Sequence, residues 1–140
     1  MPRGAGVPVE ARDTMPVQSA DDVVKVRQAV RARAIAAGFS LVDQTKIVTA
    51  ASEIARNTVD YGGGGTLCLE LVREGARRGV RLTFADQGPG IADLEQAMTD
   101  GYTSGSGLGL GLSGAKRLCN EFLVKTAPGR GTIVTLARWR

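Results

Sequence analysis

Three stretches of this 140-residue sequence hold groups that could do chemistry together. In Glu53-Ile-Ala-Arg-Asn57 the i, i+4 spacing sets a carboxylate and an amide on one helical face. A carboxylate can take a proton from a hydroxyl, and an amide oxygen is a hard ligand suited to Mg²⁺. Asp86-Gln-Gly-Pro-Gly90 directly follows an alternating apolar run. A carboxylate there can accept a hydrogen bond from an exocyclic amine such as that of adenine, and glycines beside it let a ring press on the backbone. In Gly105-Ser-Gly-Leu-Gly-Leu-Gly111 the glycines stand before or within a helix N-terminus, where free N–H groups and the dipole favour phosphate.

Each stretch also has a plainer explanation: a solvated helix face, a strand-ending turn and a flexible linker. The linker explanation fits least well. A glycine inside a helix costs roughly 1 kcal/mol relative to alanine, and the interleaved Leu108 and Leu110 suit anchoring to a core. Other phosphate motifs fail on these residues. Gly109-Leu-Gly-Leu-Ser-Gly114 satisfies GxGxxG, but residues 101–106 do not read as a strand and Arg130 stands where an acidic residue should follow. The approach to a Walker motif breaks at Ala115 and at Arg117, which replaces the Mg²⁺-binding hydroxyl. Protein-kinase signatures such as HRD and DFG are missing. The sequence has no histidine, which removes Ser-His-Asp triads, HExxH sites and phosphohistidine chemistry on this chain.

The elements that must position these groups follow from capping and periodicity. Ser19 with Asp22, and Ser40 with Asp43, resemble capping boxes. They predict helices through about Ala37, stopped by Gly38, and through Ile47, Ile54 and Val59 to the glycines at 62–65. Residues 66–72 and 79–85 alternate and are β-rich, with a short charged connection, so an antiparallel hairpin ending at Asp86 is expected. A short strand is expected at 14–18, a helical piece at 91–99, a flexible loop at 101–107, a helix at 108–120 and strands at 122–126 and 132–139. Helices followed by antiparallel strand pairs indicate an α+β fold, a two-layer sandwich with helices covering one face of a mixed sheet.

Length fits one domain. Residues 1–12, rich in Pro, Gly and Arg, read as a flexible tail with room for a short edge strand, and residues 13–140 as the domain. With 43% hydrophobic and 23% charged residues the chain has an ordinary globular balance, and 4% aromatics leave Ala, Val, Ile and Leu to fill the interior. The net charge of +4 is scattered rather than striped, so no nucleic-acid partner is expected. No apolar run approaches the roughly 20 residues of a membrane span, and a signal-peptide pattern is missing, so a cytoplasmic location without a membrane partner is expected. Cys68 and Cys119 lie in apolar contexts with no CxxC or Cys/His cluster, and are expected as reduced core thiols.

Taken in order, ExxRN, DxGPG and GxGxGxG resemble the N, G1 and G2 boxes of the GHKL superfamily, which includes gyrase, Hsp90, histidine kinases and anti-sigma kinases. More narrowly, Ala51-Ser-Glu-Ile-Ala-Arg-Asn57, Asp86-Gln-Gly-Pro-Gly-Ile91, Asp100-Gly-Tyr-Thr-Ser104, Gly114-Ala-Lys-Arg-Leu118 and Asn120-Glu-Phe122 resemble the RsbT-type switch kinases of bacterial stress-response (stressosome) pathways. The likeness spans residues 13–140, and departs in the Arg/Pro-rich start and in Gly62 to Gly65.

The resemblance implies the Bergerat ATP-binding fold and an ATP- and Mg²⁺-dependent protein-serine/threonine kinase. By that likeness Asn57 would hold Mg²⁺, Glu53 would be the base for the attacking hydroxyl, and Asp86 would bind the adenine amine in a pocket shaped by Gly88 and Gly90. Gly105, Gly107, Leu108, Gly109 and Gly111 would form the ATP lid, its glycines receiving phosphate, and Thr132 would sit beneath adenine. The implied partners are a STAS-domain antagonist as phosphoacceptor and a PP2C-type phosphatase as downstream target. The alternative is an anti-sigma factor that sequesters a sigma subunit; a detached histidine-kinase domain fits less well with so short a lid.

Overall fold

The computed structural model describes residues 7–98 and 111–140. Strand β1 spans Val9–Val17, helix α1 Ala20–Ala36, helix α2 Leu41–Asp60, and strands β2 and β3 Gly65–Glu74 and Arg77–Asp86. Short helices α3 (Leu94–Ala97) and α4 (Leu112–Arg117) follow, then β4 (Glu121–Thr126) and β5 (Thr132–Trp139). Both expected caps form: the side chains of Ser19 and Ser40 accept hydrogen bonds from the amides of Asp22 and Asp43. At Gly38, φ is +80°, and the chain turns from α1 into α2.

The five strands lie in the order β1-β2-β3-β5-β4 and every neighbouring pair is antiparallel. The α+β class holds, but the sheet is antiparallel throughout rather than mixed. Its cause is the pair α1–α2 between β1 and β2. One crossover helix returns the chain for a parallel strand, whereas two helices packed side by side deliver it back at the end where β1 finished. β1 itself begins at Val9, so Val9–Arg12 lie in the sheet, ahead of the boundary expected at residue 13. Alternating exposure along the strand and the bond from Arg12 Nη2 to Glu70 Oε2 (2.8 Å) fasten that segment to β2.

The helices cover one face. Leu67, Leu69, Val80, Leu82, Phe84, Val134 and Leu136 belong to one apolar cluster with Val26, Val30, Ile47, Ile54 and Ala55 from the helices. On the open face Glu70 is buried between Arg12 and Arg81. Among the described residues no helix is long and apolar enough to cross a membrane. Both cysteines are free and half-buried.

Two helices are shorter than expected. α4 begins at Leu112 because Gly111 has φ +63°, outside right-handed helical space, and Asn120 leaves the helix so that its side chain can accept from the Trp139 amide at 2.7 Å. α3 keeps four residues, its first turn capped by Asp93.

Candidate functional site

The C-terminal half of α2, the end of β3 and the start of β5 meet at one end of the sheet. They enclose a pocket lined by Ile54, Asn57, Thr58, Tyr61, Phe84, Asp86, Ile91, Leu112, Thr132 and Val134. Asn57, Asp86 and Thr132, distant in sequence, therefore share one cavity whose remaining walls are largely apolar. Such a cavity suits a flat, partly apolar ring recognised by a few polar groups.

Asp86 ends β3 with its carboxylate turned back on the following turn: Oδ1 accepts from the Gly88 amide at 2.9 Å. Its Oδ2 lies against the Cα of Gly62, where a Cβ would come within 2.5 Å of it. Among the described residues no protein donor is recorded for Oδ2, which leaves it as an acceptor for a ligand N–H. Gly62 and Gly88 pack backbone to backbone, so the loop after α2 and the turn after β3 are locked together. Gly131 closes the same end with φ +75°; a Cβ there would overlap the carbonyl oxygen of Asp86.

Thr132 pairs with Asp86 across β3 and β5 and is almost fully buried. Its hydroxyl lies 2.9 Å from that of Thr126, which accepts from the Ile91 amide at 2.8 Å and reaches the Gly131 carbonyl at 3.1 Å. A hydroxyl has one proton and two lone pairs, so this arrangement leaves Thr132 with capacity toward the pocket. Tyr61, one turn after Asn57, donates its hydroxyl to the Gly90 carbonyl at 3.0 Å and ties α2 to the turn. The amides of Tyr61 and Gly62 both bond to the Asn57 carbonyl, which ends the helix beside the pocket.

Glu53 stands one turn before Asn57, at the rim. Its side chain is 38% exposed and Oε1 accepts from Arg56 Nη1 at 3.2 Å. Gly111 lies against it: a Cβ at Gly111 would stand 2.7 Å from Glu53 Oε2. The last glycine of the run thus meets the carboxylate of the first motif directly. Gly105, Gly107, Leu108 and Gly109, with the Asp100–Ser104 stretch, lie outside the described residues.

Of the residues singled out from sequence, Asn57, Asp86 and Thr132 come together in the pocket, Gly88 and Gly90 shape its turn, and Glu53 and Gly111 meet at its rim. Sequence reasoning missed Tyr61, Gly62, Thr126 and Gly131. Tyr61 carried a usable signal, the i+4 step from Asn57 along the same helix face. The others act through backbone contact or a hydroxyl relay, which no spacing rule reveals.

Residues 42–140 match the histidine kinase-, DNA gyrase B-, and HSP90-like ATPase family. The chain is 42% identical over 118 residues to serine/threonine-protein kinase RsbT of Bacillus subtilis (strain 168), covering 84% of this chain and 89% of that protein. It is 31% identical over 105 residues to an anti-sigma F factor of Pasteuria penetrans, covering 71% and 70%. Among solved structures, the RsbU and RsbW domains of a Mycobacterium tuberculosis protein superpose with a TM-score of 0.64 at 22% identity, over 93% of this chain and 33% of that one.

Proposed function

Because the chain belongs to the histidine kinase-, DNA gyrase B-, and HSP90-like ATPase family, we propose that it is an ATP- and Mg²⁺-dependent protein-serine/threonine kinase. In this reading it phosphorylates a STAS-domain antagonist and then engages a PP2C-type phosphatase, a partner switch in stress-response signalling in the bacterial cytoplasm. One observation carries the proposal: Asn57, Asp86 and Thr132 line a single pocket with Glu53 on the helix turn that leads into it. The 42% identity to the RsbT kinase supports the choice of reaction.

Asp86 Oδ2 accepts from the adenine amine, and the Thr132 hydroxyl holds a water or ring nitrogen beneath the base. The chemistry of the donor set fits Mg²⁺. Among the described residues no group of three or more His, Cys, Asp or Glu forms a protein cage. A single amide oxygen from Asn57 is the kind of ligand Mg²⁺ takes when phosphates and water supply the rest. Bound with ATP, the ion supplies charge neutralisation at the phosphates. By the family likeness Gly105, Gly107, Gly109 and Gly111 would offer backbone N–H groups to the same phosphates, with Leu108 in the same segment of sequence. Glu53 orients the acceptor hydroxyl in line with the γ-phosphorus and takes its proton as the new O–P bond forms and ADP leaves.

Incubation with labelled ATP, Mg²⁺ and candidate STAS-domain proteins is expected to place label on a serine or threonine of one of them. A second reading, an anti-sigma factor that holds a sigma subunit, is favoured by the likeness to anti-sigma F factors at 31% and 28% identity. Capture of a sigma subunit with no labelled STAS protein would select it.

A further inference from the structure

Arg138 lies near the end of β5, on the inward face that Val134 and Leu136 fill with apolar atoms. Its side chain is 15% exposed. Nη2 donates to Asp43 Oδ1 at 2.6 Å, and Nη1 to the carbonyl of Leu118 at 2.9 Å. Among the described residues Nε is buried with no hydrogen-bond partner. The hydrogen bond from Arg138 holds the Asp43 carboxyl below its usual range. A buried guanidinium with an unused N–H is a poor way to fill a core, since a well-packed apolar residue generally does as well or better. What distinguishes Arg138 is the two places it joins.

Asp43 is in the first turn of α2, and Leu118 is the residue at which α4 ends. At its other end α4 is preceded by its N-cap Gly111, packed on Glu53, ten residues along α2 from Asp43. At 1.5 Å per residue the two attachment points are roughly 15 Å apart along the α2 axis. α4 has six residues and buries only Leu112 and Ala115, so it cannot hold its own direction. The residues that follow it are stitched to β5: Asn120 donates its amide to the Ala137 carbonyl at 2.9 Å, and Trp139 donates its amide to Asn120 and its ring N–H to Glu121.

We propose that Arg138 is a positioning residue: by pinning the end of α4 to the start of α2, it keeps Gly111 seated on Glu53. The effect on catalysis rests on Glu53 being the base of the kinase reaction proposed above, and the test separates the two.

Hydrogen exchange in nucleotide-free protein comes first. In Arg138→Gln the amides of Ala115 and Leu118 are expected to lose protection by about tenfold, while those of the β2–β3 hairpin keep theirs. No loss in α4, or an equal loss across the sheet, overturns the proposal whatever the protein catalyses. In phosphoryl transfer, the same variant is expected to lose kcat on the order of a hundredfold, with a rise in KM for ATP of less than about tenfold, because Asp86 and Thr132 are untouched and Gly111 is one of several groups assigned to the phosphates. Arg138→Lys, which keeps the charge opposite Asp43 but lacks the fork, is expected to restore part of that loss. An unchanged kcat in folded Arg138→Gln overturns the link to Glu53. If Arg138→Gln does not fold, Asp43→Asn keeps the shape of the site and carries the same expectations at smaller size; full protection of α4 in that variant overturns the proposal.

Discussion

The two ends of the pocket are built from different materials. Around Asp86 the walls are backbone against backbone, Gly62 on Gly88 and Gly131 under the Asp86 carbonyl, with the Gly90 carbonyl hooked by the Tyr61 hydroxyl. Around Glu53 they are side chains in contact with solvent, a carboxylate and a guanidinium three residues apart on one helix, both more than a third exposed. Backbone contacts of the first kind have one arrangement and break if a single methyl is added. An exposed ion pair of the second kind exchanges partners readily. The contrast suits a site that must recognise one base always, yet admit an incoming hydroxyl group and its protein only for a turnover.

Adding a methyl at the rigid end breaks the contrast most severely. Gly131→Ala would place a Cβ into the Asp86 carbonyl oxygen at a positive φ, and is expected to destabilise by more than about 3 kcal/mol, read from chemical unfolding. Next come the two carboxylates. Asp86→Asn preserves the bond to Gly88 but turns an acceptor into a mixed group, and calorimetry should detect no ATP binding. Glu53→Gln should bind ATP as wild type does while transfer falls about 10²- to 10⁴-fold; equal transfer rates would remove Glu53 as the base.

Acid probes the part of the sheet that charge rather than backbone packing holds, outside both ends of the pocket. The buried carboxylate of the sheet is Glu70, on the open face away from the pocket. Burial alone would raise its pKa, but hydrogen bonds from Arg81 and Arg12 outweigh that and hold it below its usual 4.5. A depressed pKa contributes stability that is present above the unfolded value and lost as pH falls through the folded one. Stability is therefore expected to decline below about pH 4.5, and Glu70→Gln to flatten that decline in urea titrations. The smallest effect belongs to the adjustable end: Arg56→Ala removes an exposed i, i+3 pair and should change stability by less than about 0.5 kcal/mol.

Much of this was legible from local chemistry. Ser19 and Ser40 announced α1 and α2, and the strand expected at 132–139 matched β5 residue for residue. The motifs Glu53–Asn57 and Asp86–Gly90 pointed to a pocket because side-chain type and period survive folding. What stayed hidden depended on partners distant in sequence. Val9–Arg12 read as a tail because four residues cannot reveal the β2 edge and the Glu70 carboxylate that hold them. Over the described part of the helix expected at 108–120, only α4 forms, because Gly111 answers to Glu53 and Asn120 to Trp139, neither visible in a window of helical period. Gly62 gave no sign of its contact with Asp86, since a glycine after a helix reads as an ordinary stop.

The sole tryptophan of the chain offers an optical consequence. The Trp139 ring lies on Gly79, where a Cβ would not fit, with the Arg77 guanidinium 5.5 Å from its centre. Gly79 and Asp86 are seven residues apart on β3, about 23 Å at the rise of a strand. Indole emission should therefore follow denaturation of the distant sheet end and stay silent on ligand addition, whereas Tyr61, inside the pocket wall, is the tyrosine among the described residues placed to register an occupant.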